Sequence, residues 1–361
     1  MRDGDIVILK GGEVAALLEG REAELLELVR RAYEAHAAGR SSLPHSTFLR
    51  FPDRPQQRII ALPAYLGGDF EVAGMKWIAS VPGNVGRGLD RASAVTVLNS
   101  VETGRPEAIL EGSVISTKRT AASAALAANH LHGAGLAPRV GVVGCGVINF
   151  EVVRFLLASR PEVEELVLFD LDAGRAAAFG AACAGLRPGL AARAAGGVEE
   201  VFGAAPLTSV ATTALAPHVR DLSACAPGST LLHVSLRDLS AEAILAADNV
   251  VDDADHVCRA QTSVHLAEQR VGHRGFIRCS LADITAGRAA PRRDAESVAV
   301  FSPFGLGVLD VALAQFACRL ARERRLGTVI ESFLYDSRNG SNGRPGEAAG
   351  APVSLPATRN D

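Results

Sequence analysis

The sequence predicts an α/β protein in which a Rossmann-type, doubly wound parallel sheet is joined to a discontinuous α+β domain. Three observations support this prediction. Residues 126–304 contain short apolar runs that alternate with helical segments, a pattern typical of a parallel sheet with helices on both faces. Residues 43–110 contain β-type runs broken by Pro and Gly, which indicates an antiparallel sheet. A long amphipathic helix follows residue 304, and we expect it to pack back on the antiparallel sheet.

The N-terminal part begins with a short strand, DIVIL. One amphipathic helix follows, with Leu17, Leu18, Leu25, Leu26 and Val29 at helical spacing. Three β-type runs come next: LPHSTFLRFP, RIIALPAYLG and EVAGMKWIASVP. A hairpin is predicted for ASAVTVLNS and EAILEG around a Thr-Gly turn. An Ala-rich helix, TAASAALAANHL, then opens at Arg119 and ends this part of the chain.

The next part starts at Pro138 with a strand, a glycine turn and a helix in RVGVVGCGVINFEVVRFLLAS. VEELVLFD is the following strand and DAGRAAAFGAACAG the following helix. Three more apolar runs (LTSVATTA, STLLHVSL and DNVVDD) precede VAVFSPFG and the late helix. The predicted domains are residues 1–125 with 305–336, and residues 126–304. Residues 337–361 form a polar tail rich in Gly and Pro, which predicts disorder.

Composition excludes several classes of function. The net charge is −3 and no basic block is present, which argues against a nucleic-acid partner. No apolar run has the length of a membrane span, and acidic residues stand where a signal peptide would be basic and then apolar. The six cysteines are scattered without a CxxC pair. That pattern predicts reduced thiols in the cytoplasm, with neither a disulfide framework nor a metal site.

A dinucleotide site is predicted where Gly144 and Gly146 stand between a strand and a helix. Gly144 would permit a tight turn, and Gly146 would let backbone N–H groups approach a pyrophosphate. Asn149 holds the usual third glycine position, so the fingerprint is incomplete. Asp170 ends the next strand, where a carboxylate bonds the ribose hydroxyl and favours NAD over NADP. The alternatives are a turn or cap role for Asp170 and a phosphate contact from Arg175.

Further cofactor contacts are predicted around the same turn. Thr212 and Thr213 follow the run LTSVA, where a doubly wound sheet presents hydroxyls to its ligand, although a solvated strand end fits almost as well. The predicted set is completed by four other residues: Thr120, Val147, Ile148 and Ser235.

The substrate residues are predicted from charges in unusual places. Lys76 lies in the apolar run GMKWIAS. It is either a surface residue whose aliphatic stem covers apolar neighbours, or a buried catalytic residue that binds substrate charge or donates a proton. Arg119 is predicted in a first helical turn, where a cation is unfavourable for the helix dipole unless an anion binds it. His233, Arg237 and Asp238 lie in LLHVSLRDLS, at the carboxyl end of a predicted strand.

These motifs together resemble the ornithine cyclodeaminase/mu-crystallin superfamily. The resemblance rests on MKWIASVPGN, LNSVETGRPEAILEG, SVISTKRTAASAALAA, VGVVGCGVINFE and SPFGLGVLDVALA, which occur in the family's order over roughly residues 40–330. It implies a homodimer built through the β-rich domain and a cleft between that domain and the NAD domain. It also implies hydride transfer between a substrate Cα–N bond and nicotinamide, with Lys76 and Arg119 holding the substrate carboxylate.

Five segments resemble a narrower branch of this superfamily: LPHSTFLRFP, RIIALPAYLGG, HVSLRDL, NVVDDADHV and SPFGLGVLD. This branch contains the 2,3-diaminopropionate biosynthesis dehydrogenases of siderophore and peptide-antibiotic pathways. It implies oxidation of N-(2-amino-2-carboxyethyl)-L-glutamate with NAD, followed by hydrolysis to L-2,3-diaminopropionate and 2-oxoglutarate. Two departures from cyclodeaminases fit a larger substrate. The first carboxylate-binding Arg of cyclodeaminases corresponds to a position near His45 in this chain, which leaves Arg50 or Arg58 as replacements. Asp238 aligns only loosely with the catalytic Asp of cyclodeaminases.

The resulting hypothesis is an enzyme that oxidises the secondary amine of a dicarboxylic or tricarboxylic amino acid. Lys76 and Arg119 would hold a carboxylate, with His45 and Arg50 as further substrate contacts, and Asp238 would take the amine proton. Two alternatives stay open. One is another NAD-dependent amino-acid dehydrogenase or cyclodeaminase acting on alanine or ornithine, and the other is a mu-crystallin-like binding protein without turnover.

Overall fold

Two β-sheets organise the chain, which is described here from a computed structural model covering residues 4–334. The predicted tail at 337–361 lies outside the described residues. The strands are β1 (Ile6–Leu9), β2 (Ser41–Ser42), β3 (Thr47–Phe51), β4 (Arg54–Leu66), β5 (Val72–Ser80), β6 (Ala92–Asn99), β7 (Pro106–Glu111), β8 (Arg139–Val143), β9 (Glu165–Phe169), β10 (Ala191–Ala194), β11 (Leu207–Val210), β12 (Thr230–His233), β13 (Asp248–Val251), β14 (Ile277–Ser280), β15 (Ala299–Ser302) and β16 (Thr328–Ile330).

The helices complete both units. They are α1 (Gly11–Leu18), α2 (Glu22–Ala37), α3 (Gly112–Leu131), α4 (Val147–Ser159), α5 (Ala173–Ala184), α6 (Val198–Ala204), α7 (Ala241–Ala246), α8 (Ala254–Val257), α9 (Ser263–Val271), α10 (Leu281–Thr285) and α11 (Gly307–Arg324), with a 3-10 helix over Pro82–Arg87. No helix within residues 4–334 combines the length and the apolar character of a membrane span.

The first sheet has the order β16-β1-β7-β6-β5-β4-β2, and β3 also pairs with β4. Its strands are antiparallel except for the parallel pair β1 and β7. Because side chains alternate across a strand, Lys76 shares one face with Leu62 and Thr96, its partners in the register. The helix α11 packs on that face, where Gly307 lies against the Leu62 carbonyl.

The second sheet has the order β10-β9-β8-β11-β12-β15-β13-β14, and every neighbouring pair is parallel. The predicted doubly wound parallel sheet is therefore confirmed. The chain order reverses between β8 and β11, and ligands of such sheets bind outside the carboxyl ends of the strands at this point. Gly144 follows β8 there, and Ala211 and Thr212 follow β11.

The helix α3 connects the two sheets and is buried along most of its length. Its alanines are fully or almost fully buried, and they join one apolar core that includes Leu110 of the first sheet and Leu232 of the second. Small side chains allow this close packing on several sides. The two sheets are thus held against one another by a shared core rather than by a flexible link.

Two predictions about the helices were wrong. The single amphipathic helix predicted near the N-terminus is two helices, α1 and α2, because Gly20 between them adopts φ +69°. The helix α3 begins at Gly112, well before Arg119, because the Glu111 carboxylate accepts hydrogen bonds from the N–H groups of Ser113 and Val114. Arg119 therefore lies inside the helix, and its predicted place in the first turn is corrected.

Candidate active site

The glycine turn after β8 forms an open cradle. Gly144 adopts φ +88°, and a Cβ there would lie 2.4 Å from the Ala211 carbonyl oxygen, so only glycine fits. A Cβ on Gly146 would meet nothing within 4 Å. The helix α4 begins directly afterwards, and no side chain caps its first N–H groups. The cradle thus offers free backbone donors and space to a phosphate group, which is what the pyrophosphate of a dinucleotide requires.

Asn149 explains why the third glycine is dispensable. Its fully buried side chain donates from Nδ2 to the carbonyl oxygens of Val143 (3.0 Å) and Gly144 (2.7 Å). Its Oδ1 accepts a hydrogen bond from Ser209 Oγ at 2.7 Å. The amide therefore ties the turn to β8 and β11, a role that the sequence analysis did not assign to it.

Asp170 lies beside the same turn, directly after β9. Its Oδ2 accepts a hydrogen bond from the Cys145 N–H at 2.8 Å, and its Oδ1 accepts one from the Asp172 N–H at 3.0 Å. The carboxylate also lines a cavity of about 520 Å³ that contains Gly144, Gly146 and Arg175. Asp170 thus fixes the turn and faces the cavity, so the turn role and the ribose role predicted for it are compatible.

Three cavities meet in a continuous cleft between the sheets. The cavity at the glycine turn shares Ala211, Thr212 and Thr213 with a central cavity of about 460 Å³. The central cavity shares Arg119 and Arg237 with a smaller one of about 200 Å³, which Lys76 lines. The cleft therefore leads from the predicted cofactor turn to the predicted substrate lysine.

Most of the predicted contacts lie in this cleft. The central cavity is lined by seven of them: Arg50, Arg119, Thr120, Ile148, Thr212, Thr213 and Ser235. Val147 is 67% exposed and lines a fourth cavity, beside Lys118 and Glu151, which adjoins the central one at Ile148. His45 is exposed and lies with its ring 5.2 Å from that of His256, outside the lining of the three cavities. The geometry therefore favours Arg50 and Arg58 over His45 as substrate contacts.

Lys76 and Arg119 share one buried counter-ion, Asp310 on α11. Lys76 Nζ lies 2.8 Å from Asp310 Oδ2, and Arg119 Nε donates to Asp310 Oδ1 at 3.1 Å. Ser116 Oγ accepts from Lys76 Nζ at 3.1 Å. The site therefore carries two cations against one carboxylate, and this excess positive charge suits a bound anion.

The loop before α11 brings Arg119 into position. Gly305 adopts φ +91°, and a Cβ there would lie 2.4 Å from Arg119 Nη1. The N–H groups of Phe304 and Gly305 donate to the buried Asp252 carboxylate at 2.9 and 2.7 Å. Asp252 thus holds the loop, and the glycine leaves room for the guanidinium.

Burial changes the acidity of Lys76. Its removal from water and the neighbouring Arg119 cation lower the pKa of the lysine to about 8, although Asp310 opposes the shift. A lysine with a pKa near neutrality exchanges a proton readily in the physiological range. Lys76 is therefore able both to pair with an anion and to accept a proton.

Asp238 lies beside the cleft but is fully buried. Its carboxylate accepts hydrogen bonds from Thr212 Oγ1 and Ser235 Oγ, and His218 Nε2 lies 3.1 Å away. Burial alone would raise the pKa of this carboxyl, but hydrogen bonds from His233 and from the two hydroxyls outweigh it and hold the pKa well below the usual range. A carboxylate with saturated oxygens and no exposure is a poor proton acceptor. The structure therefore favours a role in positioning Thr212 and Ser235 over the predicted role as base.

The central cavity is strongly cationic. Its lining contains no Asp or Glu but includes five arginines: Arg50, Arg58, Arg91, Arg119 and Arg237. Arg91 carries no recognisable signal in the sequence, because it lies in the polar loop GRGLDR, which is typical of a solvated turn. Asp310 was missed too, although an acid in the apolar start of α11 is a signal that could have revealed it.

Comparison with known proteins places these features in a family. A family model described as the ornithine cyclodeaminase/mu-crystallin family matches residues 8–324. The N-((2S)-2-amino-2-carboxyethyl)-L-glutamate dehydrogenase of Staphylococcus aureus is 27% identical over 314 residues, which covers 85% of this chain and 93% of that enzyme.

Solved structures show the same architecture. The Δ1-pyrroline-2-carboxylate reductase of Thermococcus litoralis, in complex with NADH and L-proline, superposes with a TM-score of 0.83 at 25% identity, over 90% of this chain and 99% of that one. An archaeal alanine dehydrogenase dimer with bound NAD gives a TM-score of 0.80 at 25% identity, over 91% of this chain and 99% of that one.

Proposed function

Because the chain belongs to the ornithine cyclodeaminase/mu-crystallin family, we propose that it is an NAD-dependent oxidoreductase acting on the CH–NH bond of N-(2-amino-2-carboxyethyl)-L-glutamate. Hydrolysis of the resulting imine gives L-2,3-diaminopropionate and 2-oxoglutarate, which suits the supply of precursors for a siderophore or a peptide antibiotic. The observation that supports this most is the continuous cleft from the Gly144 turn to Lys76 and Arg119. The similarity to the Staphylococcus enzyme and the five arginines of the central cavity favour this substrate.

The residues at the glycine turn fit NAD. Gly146 leaves open space at the start of α4, whose free N–H groups would hold the pyrophosphate. The Asp170 carboxylate would accept hydrogen bonds from the adenosine ribose and repel a 2′-phosphate. When bound, NAD supplies a hydride acceptor, and the fold's contribution is to place the amine carbon against it.

Arg119 and Lys76 would hold the carboxylate next to the reacting carbon. Arg119 offers two parallel N–H donors, the geometry that matches a carboxylate. Its Nε is already fixed by Asp310, and Nη1 lies where a side chain on Gly305 would stand, so the guanidinium is closely surrounded. Such fixed positioning is worth several kcal/mol in a transfer that depends on alignment.

Lys76 would also take the proton from the substrate amine. A bound ammonium group has no lone pair with which to form a C=N bond, so it must lose a proton before the hydride leaves. The neutral lysine accepts this proton and becomes the ammonium that pairs with Asp310 and the substrate carboxylate. This single transfer accounts for both roles predicted for Lys76, and it needs no further base.

The pH profile follows from the lysine. We expect kcat/KM to rise about tenfold per pH unit below pH 8 and to level off above it, because the neutral form of Lys76 is the active one and its pKa is about 8. Since Asp310 raises this pKa, the Asp310→Asn variant should have its breakpoint at a lower pH. Initial rates of both proteins between pH 6 and 10 measure the shift. An unmoved breakpoint would assign the titration to the substrate amine and contradict the role of Lys76.

A direct assay tests the proposed reaction. The purified full chain is incubated with NAD and the synthetic tricarboxylic amine, NADH is followed by absorbance, and 2-oxoglutarate is identified by mass spectrometry. Alanine and ornithine serve as competing substrates under the same conditions. We expect kcat/KM for the tricarboxylic amine to exceed those for both amino acids by at least about 100-fold. A faster reaction with alanine or ornithine, or no NADH from the tricarboxylic amine, would overturn the proposal.

We further propose that two copies of the chain associate through the face of the first sheet opposite α11. Trp77 and Met75 lie on this face, and each has apolar partners in the register: Ala61 and Val95 for Trp77, Pro63 and Val97 for Met75. The archaeal relative named above is a dimer. The Trp77→Glu variant should sediment as a monomer where the parent chain sediments as a dimer. Identical sedimentation of both proteins would contradict this interface.

A further inference from the structure

Three arginines form a cluster in the central cavity: Arg58, Arg91 and Arg237. We propose that this cluster is a distal subsite that binds the carboxylates not held by Lys76 and Arg119, and thereby selects tricarboxylic over monocarboxylic amines. The inference rests on the proposed function and adds to it the residues that read the substrate's length and charge.

The fold brings these arginines to one place from both sheets. Arg58 lies on β4 opposite Ser80 of β5, and Ser80 in turn faces Ala92 of β6, the residue after Arg91. Arg58 and Arg91 are therefore at the same end of the first sheet. Arg237 follows β12 of the second sheet, and its Nη2 donates to the Ala260 carbonyl at 2.7 Å, which fixes the side chain. The cluster thus spans the cleft.

The cluster lacks counter-ions of its own. Within residues 4–334, no carboxylate lies within 4.0 Å of a nitrogen of Arg58, Arg91 or Arg237, whereas a surface arginine such as Arg193 pairs with Glu165 and Glu200. Arg58 Nε is moreover buried without a hydrogen-bond partner in the described part of the chain. Buried donors are normally satisfied, so this one is evidence for a missing acceptor.

Burial and mutual repulsion make the cluster costly in the absence of an anion. Loss of water lowers the pKa of Arg58, and the positive charges of Arg237, Arg91 and Arg50 lower it further. Burial likewise lowers the pKa of Arg237, as does repulsion from Arg50 and Arg91, and the neighbouring Asp238 carboxylate opposes this shift without reversing it. Like charges in a partly buried cleft repel strongly because the local dielectric is low. A dicarboxylate would remove this repulsion and supply the missing acceptors.

The position of the cluster matches the shape of the proposed substrate. Arg58, Arg119 and Arg237 also line the small cavity that contains Lys76, so the two subsites adjoin. A carboxylate held by Lys76 and Arg119 leaves the rest of a branched tricarboxylic amine to extend into the central cavity. Each remaining carboxylate would there meet a guanidinium able to bind it with two hydrogen bonds. Alanine has no group to reach this subsite.

The test compares a dicarboxylate with a monocarboxylate on the whole protein. Calorimetry measures the binding of 2-oxoglutarate and of pyruvate to the NADH-loaded chain. In Arg91→Gln and in Arg237→Gln, 2-oxoglutarate should bind about 30-fold more weakly or worse, while the affinity for pyruvate changes less than about threefold. The matched control is Arg193→Gln, which should change neither affinity. Ligand-free Arg91→Gln should also melt at a higher temperature than the parent chain, since one repulsive charge is removed.

The outcomes separate this inference from the reaction. Unchanged 2-oxoglutarate affinity in both variants, or an equal loss for pyruvate, would overturn the distal subsite even if the tricarboxylic amine is oxidised. A selective loss of 2-oxoglutarate would support the subsite even if that amine is not oxidised, and the proposed reaction alone would then fail. A lower melting temperature of ligand-free Arg91→Gln would show that this arginine stabilises the fold and would count against the inference.

Discussion

Replacement of Lys76 by methionine should lower kcat/KM for the amine oxidation by roughly 1,000-fold or more. The substitution removes the proposed proton acceptor and one of the two cations that hold the carboxylate, and each loss alone costs about 100-fold or more. Methionine fills a similar volume, so the protein should fold. Steady-state rates with saturating NAD measure the effect, and circular dichroism confirms the fold.

Lys118→Met is the matched control for this experiment. Lys118 is also buried and precedes Arg119 on α3, but it pairs with Glu151 at 3.2 Å and lines a cavity that Lys76 does not line. Its replacement should leave kcat/KM within about threefold of the parent value, because the lysine is not part of the reacting site. Full activity of Lys76→Met, or an equal loss in both variants, would contradict the assignment of Lys76.

The Asp310→Ala variant should lose both activity and stability. Asp310 is fully buried and is the shared counter-ion of Lys76 and Arg119. Removal of one partner from a buried ion pair costs about 3–5 kcal/mol, since it leaves an uncompensated charge. Lys76 can escape part of this cost by losing its proton, because its pKa is already low, but Arg119 cannot. We therefore expect the free energy of unfolding to fall by about 3 kcal/mol in urea titrations.

Asp310→Asn separates charge from hydrogen bonding in the same place. Its amide oxygen still accepts from Arg119, so we expect a smaller loss of stability than in Asp310→Ala. If the unfolding free energy of Asp310→Ala lies within about 1 kcal/mol of the parent value, the buried cluster is not held by this carboxylate.

The fold was predictable because its signals are local. The apolar runs around VGVVGCG and VLFD have strand length and alternate with helices, and this pattern alone indicates a parallel sheet. The start of α3 was missed because Glu111 is an unusual cap and ISTK is a weak helix former, so the Ala-rich segment alone looked helical. The split between α1 and α2 depends on a single glycine in a continuous apolar pattern.

The site was predictable only in part because its chemistry depends on contacts between distant segments. Lys76 and Arg119 could be singled out as charges in apolar surroundings. Asp310, which joins them, follows Arg119 by 191 residues and faces both only once α11 packs on β5. Arg91 meets Arg58 through the register of three strands, which the sequence does not specify. Asp238 follows a strand end as predicted, but its burial among hydroxyl groups is a tertiary property.

A crystal structure of the full chain with NADH and 2-oxoglutarate would test the central claim most directly, namely that the two halves of the cleft hold a substrate carboxylate beside the bound cofactor. We predict one carboxylate of the keto acid within hydrogen-bonding distance of Lys76 and Arg119, the second among the guanidinium groups of Arg58, Arg91 and Arg237, and the keto carbon facing the nicotinamide ring. A keto acid bound elsewhere, with only water beside Lys76 and Arg119 and their contacts to Asp310 unchanged, would contradict it.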